Sequence, residues 1–262
     1  MTQLAGKVVW ITGASGGIGE ALALIASEQG AKLILSARRV DELERVRSRC
    51  ADQNKVAILP LDLLAFDAGK AASQAEKFFG LVDILVNNAG ATQRSLAVDT
   101  EMAVYRRLME LNYFAPVALT SAVLPGMAAR KSGHVVMISS VAGKFGAPLR
   151  SGYCAAKHAL NGYTESARAE LWREGVRFTT VCPGFVKTQI SVNALAGDGA
   201  AHGKMDEGQS KGMEPRLCAE KIWSAVDSDR EEVLIGVEAQ LVHLKRYVPS
   251  LFSQVIKRAK VT

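Results

Sequence analysis

An apolar run, Val8-Val9-Trp10-Ile11-Thr12, enters three spaced glycines, Gly13, Gly17 and Gly19, and passes at once into Glu20 to Ala26, where apolar residues recur at helical spacing. The order is strand, tight turn, helix. Glycines at such a turn permit positive φ and close approach of a ligand, while the first helical amides offer free N–H donors and a positive dipole end. A dinucleotide pyrophosphate fits such a cradle. Any strand-to-helix turn can use one or two glycines, so the reading depends on what the rest of the chain supplies.

The rest keeps the same rhythm. Apolar runs at 8–12, 32–36, 56–59, 84–87, 134–139, 177–182 and 232–236 alternate with helical patterns. One such pattern, 40–50, carries a narrow apolar stripe of Leu43, Val46 and Cys50; another, 153–174, is long and well formed. Continuous apolar strands joined by helices predict an α/β fold, a doubly wound parallel sheet of Rossmann type, in a single domain spanning 1–262. At 262 residues and 48% hydrophobic content the chain can bury such a core. The N-terminus reaches the first strand without a long apolar segment, so neither a signal peptide nor a membrane-spanning helix is expected, and the expected location is the cytoplasm. Cys50, Cys154, Cys182 and Cys218 lie far apart with only four histidines, which predicts free thiols and no metal site. Of the net charge of +6, Lys245, Arg246, Lys257, Arg258 and Lys260 contribute +5, and no acid follows Glu238. The body is nearly neutral, which argues against nucleic acid as a partner.

Tyr153 and Lys157 stand four apart at the start of the long helix, so both project from one face. Ser140 lies just beyond an apolar strand, at the sheet edge where ligands bind. Hydroxyl, phenol and ammonium can therefore converge. Taken with Thr12 to Gly19, Asp62-Leu63, Asn87-Asn88-Ala89-Gly90, Asn112, Pro183-Gly184 and Thr188, these residues make the chain resemble a short-chain dehydrogenase/reductase along essentially its whole length. The resemblance implies a carbonyl/alcohol oxidoreductase in which Tyr153 is the general acid or base, Lys157 lowers its pKa and holds the nicotinamide ribose, Ser140 holds the substrate oxygen, and Asn112 anchors a water. A free phenol titrates near 10, so work near neutrality requires a drop of roughly three units. The resemblance further implies that Gly13, Ser15, Gly17, Ile18 and Gly19 hold the pyrophosphate. Asp62 and Leu63 would meet the adenine, Asn88, Ala89 and Gly90 would line the cofactor site, and Pro183, Gly184, Val186 and Thr188 would hold the nicotinamide amide.

Cofactor choice follows from the end of the second strand. NAD-dependent members of that family carry an acid there, whereas this chain has Ala37 followed by Arg38 and Arg39, which fits the 2′-phosphate of NADP(H). The basic residue that many NADP-dependent members carry inside the glycine turn is replaced by Gly16. An alternative is a non-catalytic NADP(H)-binding sensor or scaffold, against which Ser140, Tyr153, Lys157 and Asn112 together argue. Epimerase and dehydratase branches of the family are usually longer. Residues 33–47 and 153–160 are similar to vertebrate membrane-anchored reductases of steroids, retinoids and other lipophilic carbonyl compounds. The resemblance also implies a homodimer or homotetramer formed through the helices that end near Arg130 and Glu174.

Two stretches stand apart. Residues 188–213 contain five glycines among small and polar residues, predicting either a mobile substrate lid or a plain surface loop. In the tail, 239–262, Val248, Leu251, Phe252, Val255 and Ile256 recur at helical spacing with cations crowding the end. A terminal helix packed on its own fold, a segment exchanged between subunits and a peripheral membrane contact are all consistent with that pattern.

Overall fold

The computed structural model describes residues 4–259. Its strands are β1 Val8–Thr12, β2 Lys32–Ser36, β3 Val56–Ile58, β4 Ile84–Asn87, β5 Gly133–Ile138, β6 Val176–Pro183 and β7 Glu232–Ile235. They form one parallel sheet in the order β3-β2-β1-β4-β5-β6-β7. β1, β2 and β4 have the bounds expected from their apolar runs, and the other four differ by one residue at one or both ends. The helices are α1 Gly17–Glu28, α2 Val40–Ser48, α3 Ala68–Phe79, α4 Met102–Met109, α5 Ala115–Ala129, α6 Ser151–Leu171, the single turn α7 Glu207–Ser210, α8 Pro215–Asp227, α9 Ala239–Tyr247 and α10 Pro249–Lys257.

Alternation along the strands divides the core in two. Val9, Ile11, Leu33 and Leu35 face one layer with Leu22 of α1 and Ile222 and Trp223 of α8. Val8, Trp10, Ile34 and Leu85 face the other with Ala75 of α3, Leu119 of α5 and Leu160 of α6. Both faces are buried, which is why the strands read as unbroken apolar runs. Each large aliphatic side chain so buried stabilises by roughly 1.5–3 kcal/mol. Trp10 satisfies its indole N–H on Ser36 Oγ at 2.9 Å.

Residues Met102–Ala129 form one continuous helix, long and apolar enough to cross a membrane by length and composition alone. Its apolarity has a core role: Val104, Leu108, Ala115, Leu119, Val123 and Met127 are buried against the fold. In its middle, Glu110–Phe114 widen into a π-helical turn. Because β2 leaves β1 on one side and β4 pairs with it on the other, the crevice beyond the strands' C-terminal ends opens at the β1/β4 boundary.

Candidate active site

The crevice is a cleft of roughly 1190 Å³ walled by the ends of β1, β4, β5 and β6. Every site residue named from the sequence lines it except Gly19. Gly19 lies beneath the turn, where a Cβ would come within 2.3 Å of Gly13 O and 2.5 Å of Asn88 Nδ2. Gly13 and Gly17 adopt φ of 65° and 57°, the left-handed region that glycine enters at no steric cost. The turn is braced from β4: Asn88 Nδ2 donates to Thr12 O at 2.9 Å and Gly13 O at 3.1 Å, and the Asn88 and Ala89 amides donate to Thr12 Oγ1 at 3.0 and 3.1 Å. Thr188 reaches the opposite side, so close that a Cβ on Gly17 would meet its Cγ2 at 2.8 Å. Gln209 Nε2 holds that segment by donating to Val186 O and to Thr188 Oγ1.

This cradle fits a dinucleotide. Beside it, Asp62 is exposed and Leu63 buried on the cleft wall, Asp62 accepting from Leu64 N at 3.1 Å. Arg38 and Arg39 are exposed, line the cleft and have no ion-pair partner among the described residues. Gly16 is extended, with nothing within 4 Å of a Cβ built there. The sequence reading missed a neighbour: Arg45, on α2, lies over the turn, donating to Glu20 at 2.8 Å, to Glu42 at 2.8 Å and to Ser15 O at 3.3 Å. Arg45 and Arg49 hold the Glu20 carboxyl below its usual range.

Ser140, half-buried at the end of β5, donates to Pro183 O at 3.3 Å and accepts from Ala142 N at 3.1 Å. Tyr153 is buried in the first turn of α6, where the Ser140 hydroxyl acts on its phenol. Lys157 is buried, donates from Nζ to Ile138 O at 2.7 Å and lies 5.9 Å from the centre of the Tyr153 ring. Burial pushes its ammonium down to about 8. Burial also pushes the Tyr153 phenol up, with the Ser140 hydroxyl and the Arg150 charge opposing it. The expected lowering of the phenol by Lys157 is therefore not what this geometry gives. Desolvation outweighs the charges, and the cations acting on the phenol are Arg150 and Arg94.

Asn112 sits in the π turn that follows α4, fully buried. Its Nδ2 donates to Ala91 O at 3.0 Å and Leu108 O at 2.9 Å, while Oδ1 accepts from Ala91 N at 3.3 Å. A Cβ on Gly90 would lie 2.7 Å from Asn112 Oδ1 and 3.7 Å from Lys157 Nζ, so that glycine lets the two side chains approach across it.

Two further features were absent from the sequence reading. Gln93, fully buried, accepts at Oε1 from the amides of Gly152 at 2.7 Å and Tyr153 at 3.2 Å, capping α6 from a distant loop. Arg94 and Asp206 form a buried ion pair, with Arg94 Nε 2.9 Å from Asp206 Oδ2, and Arg150 joins it at 3.1 Å. Together with Arg94 N to Leu195 O at 2.8 Å, Leu195 N to Thr92 O at 2.9 Å and Glu101 N to Gly197 O at 2.9 Å, this pair stitches residues 188–213 to the loop after β4.

Comparison with known proteins agrees with this geometry. The short chain dehydrogenase family model matches residues 7–198. A dehydrogenase/reductase SDR family protein 7-like from Anopheles gambiae is 43% identical over 98% of this chain and 84% of its own length. Among solved structures, a short-chain dehydrogenase from Streptomyces avermitilis superposes with a TM-score of 0.81, 29% identity and coverage of 97% and 96% of the two chains. A metagenomic short-chain oxidoreductase solved in complex with NADP superposes at 0.73, with 30% identity and coverage of 89% and 97%. The chain belongs to the short-chain dehydrogenase/reductase family, an oxidoreductase family with a nicotinamide-nucleotide-binding Rossmann-type fold.

Proposed function

We propose that the protein is an NADP(H)-dependent oxidoreductase that interconverts a small-molecule carbonyl compound and a secondary or primary alcohol, with Tyr153 as general acid or base. The convergence of Ser140, Tyr153 and Lys157 beside the glycine turn carries this reading. Bound nicotinamide supplies or accepts the hydride. The protein's own part concerns the proton. Ser140 holds the substrate oxygen beside the phenol, on the wall of the same cleft. Tyr153 Oη gives or takes the proton, the Arg150 charge favouring phenolate. Lys157, with one N–H on Ile138 O, has further donors for hydroxyls in the cleft. Asn112 fixes Gly90-Ala91 next to that lysine and anchors a water on the path to solvent.

Ala37 brings no acid to the adenosine ribose, and the unpaired guanidinium groups of Arg38 and Arg39 suit a 2′-phosphate. Residues 188–213 serve as the lid, swinging about their anchorage at Asp206. A homodimer or homotetramer through α5 and α6 completes the reading. All four cysteines are free and buried, which supports a reducing compartment, the cytoplasm.

The test is direct titration with NADPH and NADH, followed by turnover on a panel of carbonyl compounds and alcohols. NADPH is expected to bind more tightly, and Ala37→Asp with Arg38→Leu to shift preference toward NADH. Tyr153→Phe is expected to lower turnover by orders of magnitude with NADPH binding retained. Tighter NADH binding by the wild type overturns the cofactor assignment; near wild-type turnover by Tyr153→Phe overturns the chemistry.

A further inference from the structure

Helices α9 and α10 have two unlike faces. Inward, Phe252 is buried with its ring centre 5.4 Å from that of Phe145, and Leu241, Val242, Leu244 and Ile256 pack around the pair. Outward, Tyr247, Val248, Leu251 and Val255 expose 73%, 45%, 47% and 40% of their surface. Leu251 and Val255, four apart, form a stripe on one face of α10, and Tyr247, the last residue of α9, and Val248, between the two helices, stand exposed at its entry. Exposed cations stand at both ends, Lys245 and Arg246 before the stripe, Lys257 and Arg258 after it. No Asp or Glu lies between residues 239 and 259. Leu241, Ile256 and Ala259, from the same two helices or just after them, line the catalytic cleft.

Charge decides what covers this stripe. A second copy docked about a two-fold axis would press the surface onto itself and bring its four cations against four more, with no acid in the segment to offset them. An anionic bilayer matches the same surface: apolar side chains enter the headgroup boundary and flanking cations meet lipid phosphates. We propose that the α9–α10 stripe docks the protein peripherally on anionic phospholipid, with the wall of the catalytic cleft set against the membrane. This proposal does not rest on the hydride-transfer reading, and its test reads lipid binding alone.

The full chain is sedimented with vesicles of phosphatidylcholine alone and of phosphatidylcholine with phosphatidylserine. Binding is expected only to the phosphatidylserine vesicles and is expected to be lost in high salt. Leu251→Ser with Val255→Ser, and separately Lys257→Glu with Arg258→Glu, are expected to weaken it about tenfold or more at an unchanged thermal transition. These positions are exposed, so neither pair disturbs the core, and the wild-type salt and lipid dependence stands without any variant. No binding, equal binding to both vesicle types, or full binding by both variants overturns the proposal. So does a change in oligomeric state on Leu251→Ser with Val255→Ser while vesicle binding persists, which would assign the stripe to contact between copies.

Discussion

Gln93 provides the catalytic helix with a cap that no residue of the helix supplies. Arg150, at the α6 N-terminus, makes no capping side-chain hydrogen bond, leaving the first amides to find partners elsewhere. Gln93 Oε1 takes two of them, including that of Tyr153 itself, and its Nε2 is fixed by Ser95, Thr100 and Ser151. The position of the phenol relative to Ser140 is thus set in part from outside the helix. Gln93→Ala is expected to cost about 1–2 kcal/mol of stability, as for other lost caps, and to lower kcat more than it raises KM. Chemical denaturation and steady-state kinetics together check this. A stability loss with unchanged kcat would make Gln93 a structural cap only. Ser140, Tyr153 and Lys157 were legible in the sequence because a strand end and one helix turn fix their relations locally. Gln93 was not, because its partner amides lie 59 and 60 positions away and a lone glutamine carries no pattern.

Elements were legible wherever burial imposes a period. β1, β2 and β4 matched residue for residue, since a strand covered on both faces is apolar throughout. The π turn at Asn112 was not, because one extra residue in a single turn hardly disturbs a helical pattern. Residues 188–213 were legible only as a break in rhythm: their glycines report backbone freedom, whereas their anchorage is an ion pair 112 positions apart in sequence. Asp206 there faces two guanidinium groups, and burial beside Arg94 lowers Arg150 to about 10. Asp206→Asn removes the carboxylate that faces buried Arg94, a change expected to cost about 3–5 kcal/mol where the pair is broken. The loss should appear first as local opening, since the pair ties this segment to the loop after β4. Limited proteolysis is expected to cut 188–213 faster in Asp206→Asn than in the wild type. Equal cutting rates and equal thermal transitions would show that the ion pair does not anchor it.

Across the whole molecule, the sequence located the excess charge in the tail, but the balance of buried titratable groups had to await the fold. Lys260, one of the tail cations, lies outside the described residues. His134 illustrates the point, a polar residue inside an apolar strand whose partner on β6 cannot be read from sequence. Its Nε2 lies 2.8 Å from Thr179 Oγ1, and that hydroxyl donates to Arg230 O at 2.8 Å, so Thr179 must accept and His134 is the neutral Nε2–H tautomer. Burial lowers its pKa to about 4 from 6.5. The unfolded chain therefore takes up this proton first as pH falls. The contribution to stability is complete above 6.5 and declines progressively between 6.5 and about 4, by about 3 kcal/mol in all. The Glu20 and Glu28 carboxyls, held low by Arg45 and Arg216, add their own losses as pH falls through the ordinary carboxylate value of 4.5 and below, so His134 acts apart from them in the upper part of its window. His134→Gln keeps a donor toward Thr179 and removes the titration. Urea denaturation at pH 7, 6, 5 and 4.5 is expected to show a shallower fall in stability for the variant than for the wild type. Parallel slopes would mean that His134 is not the group through which the sheet senses acid.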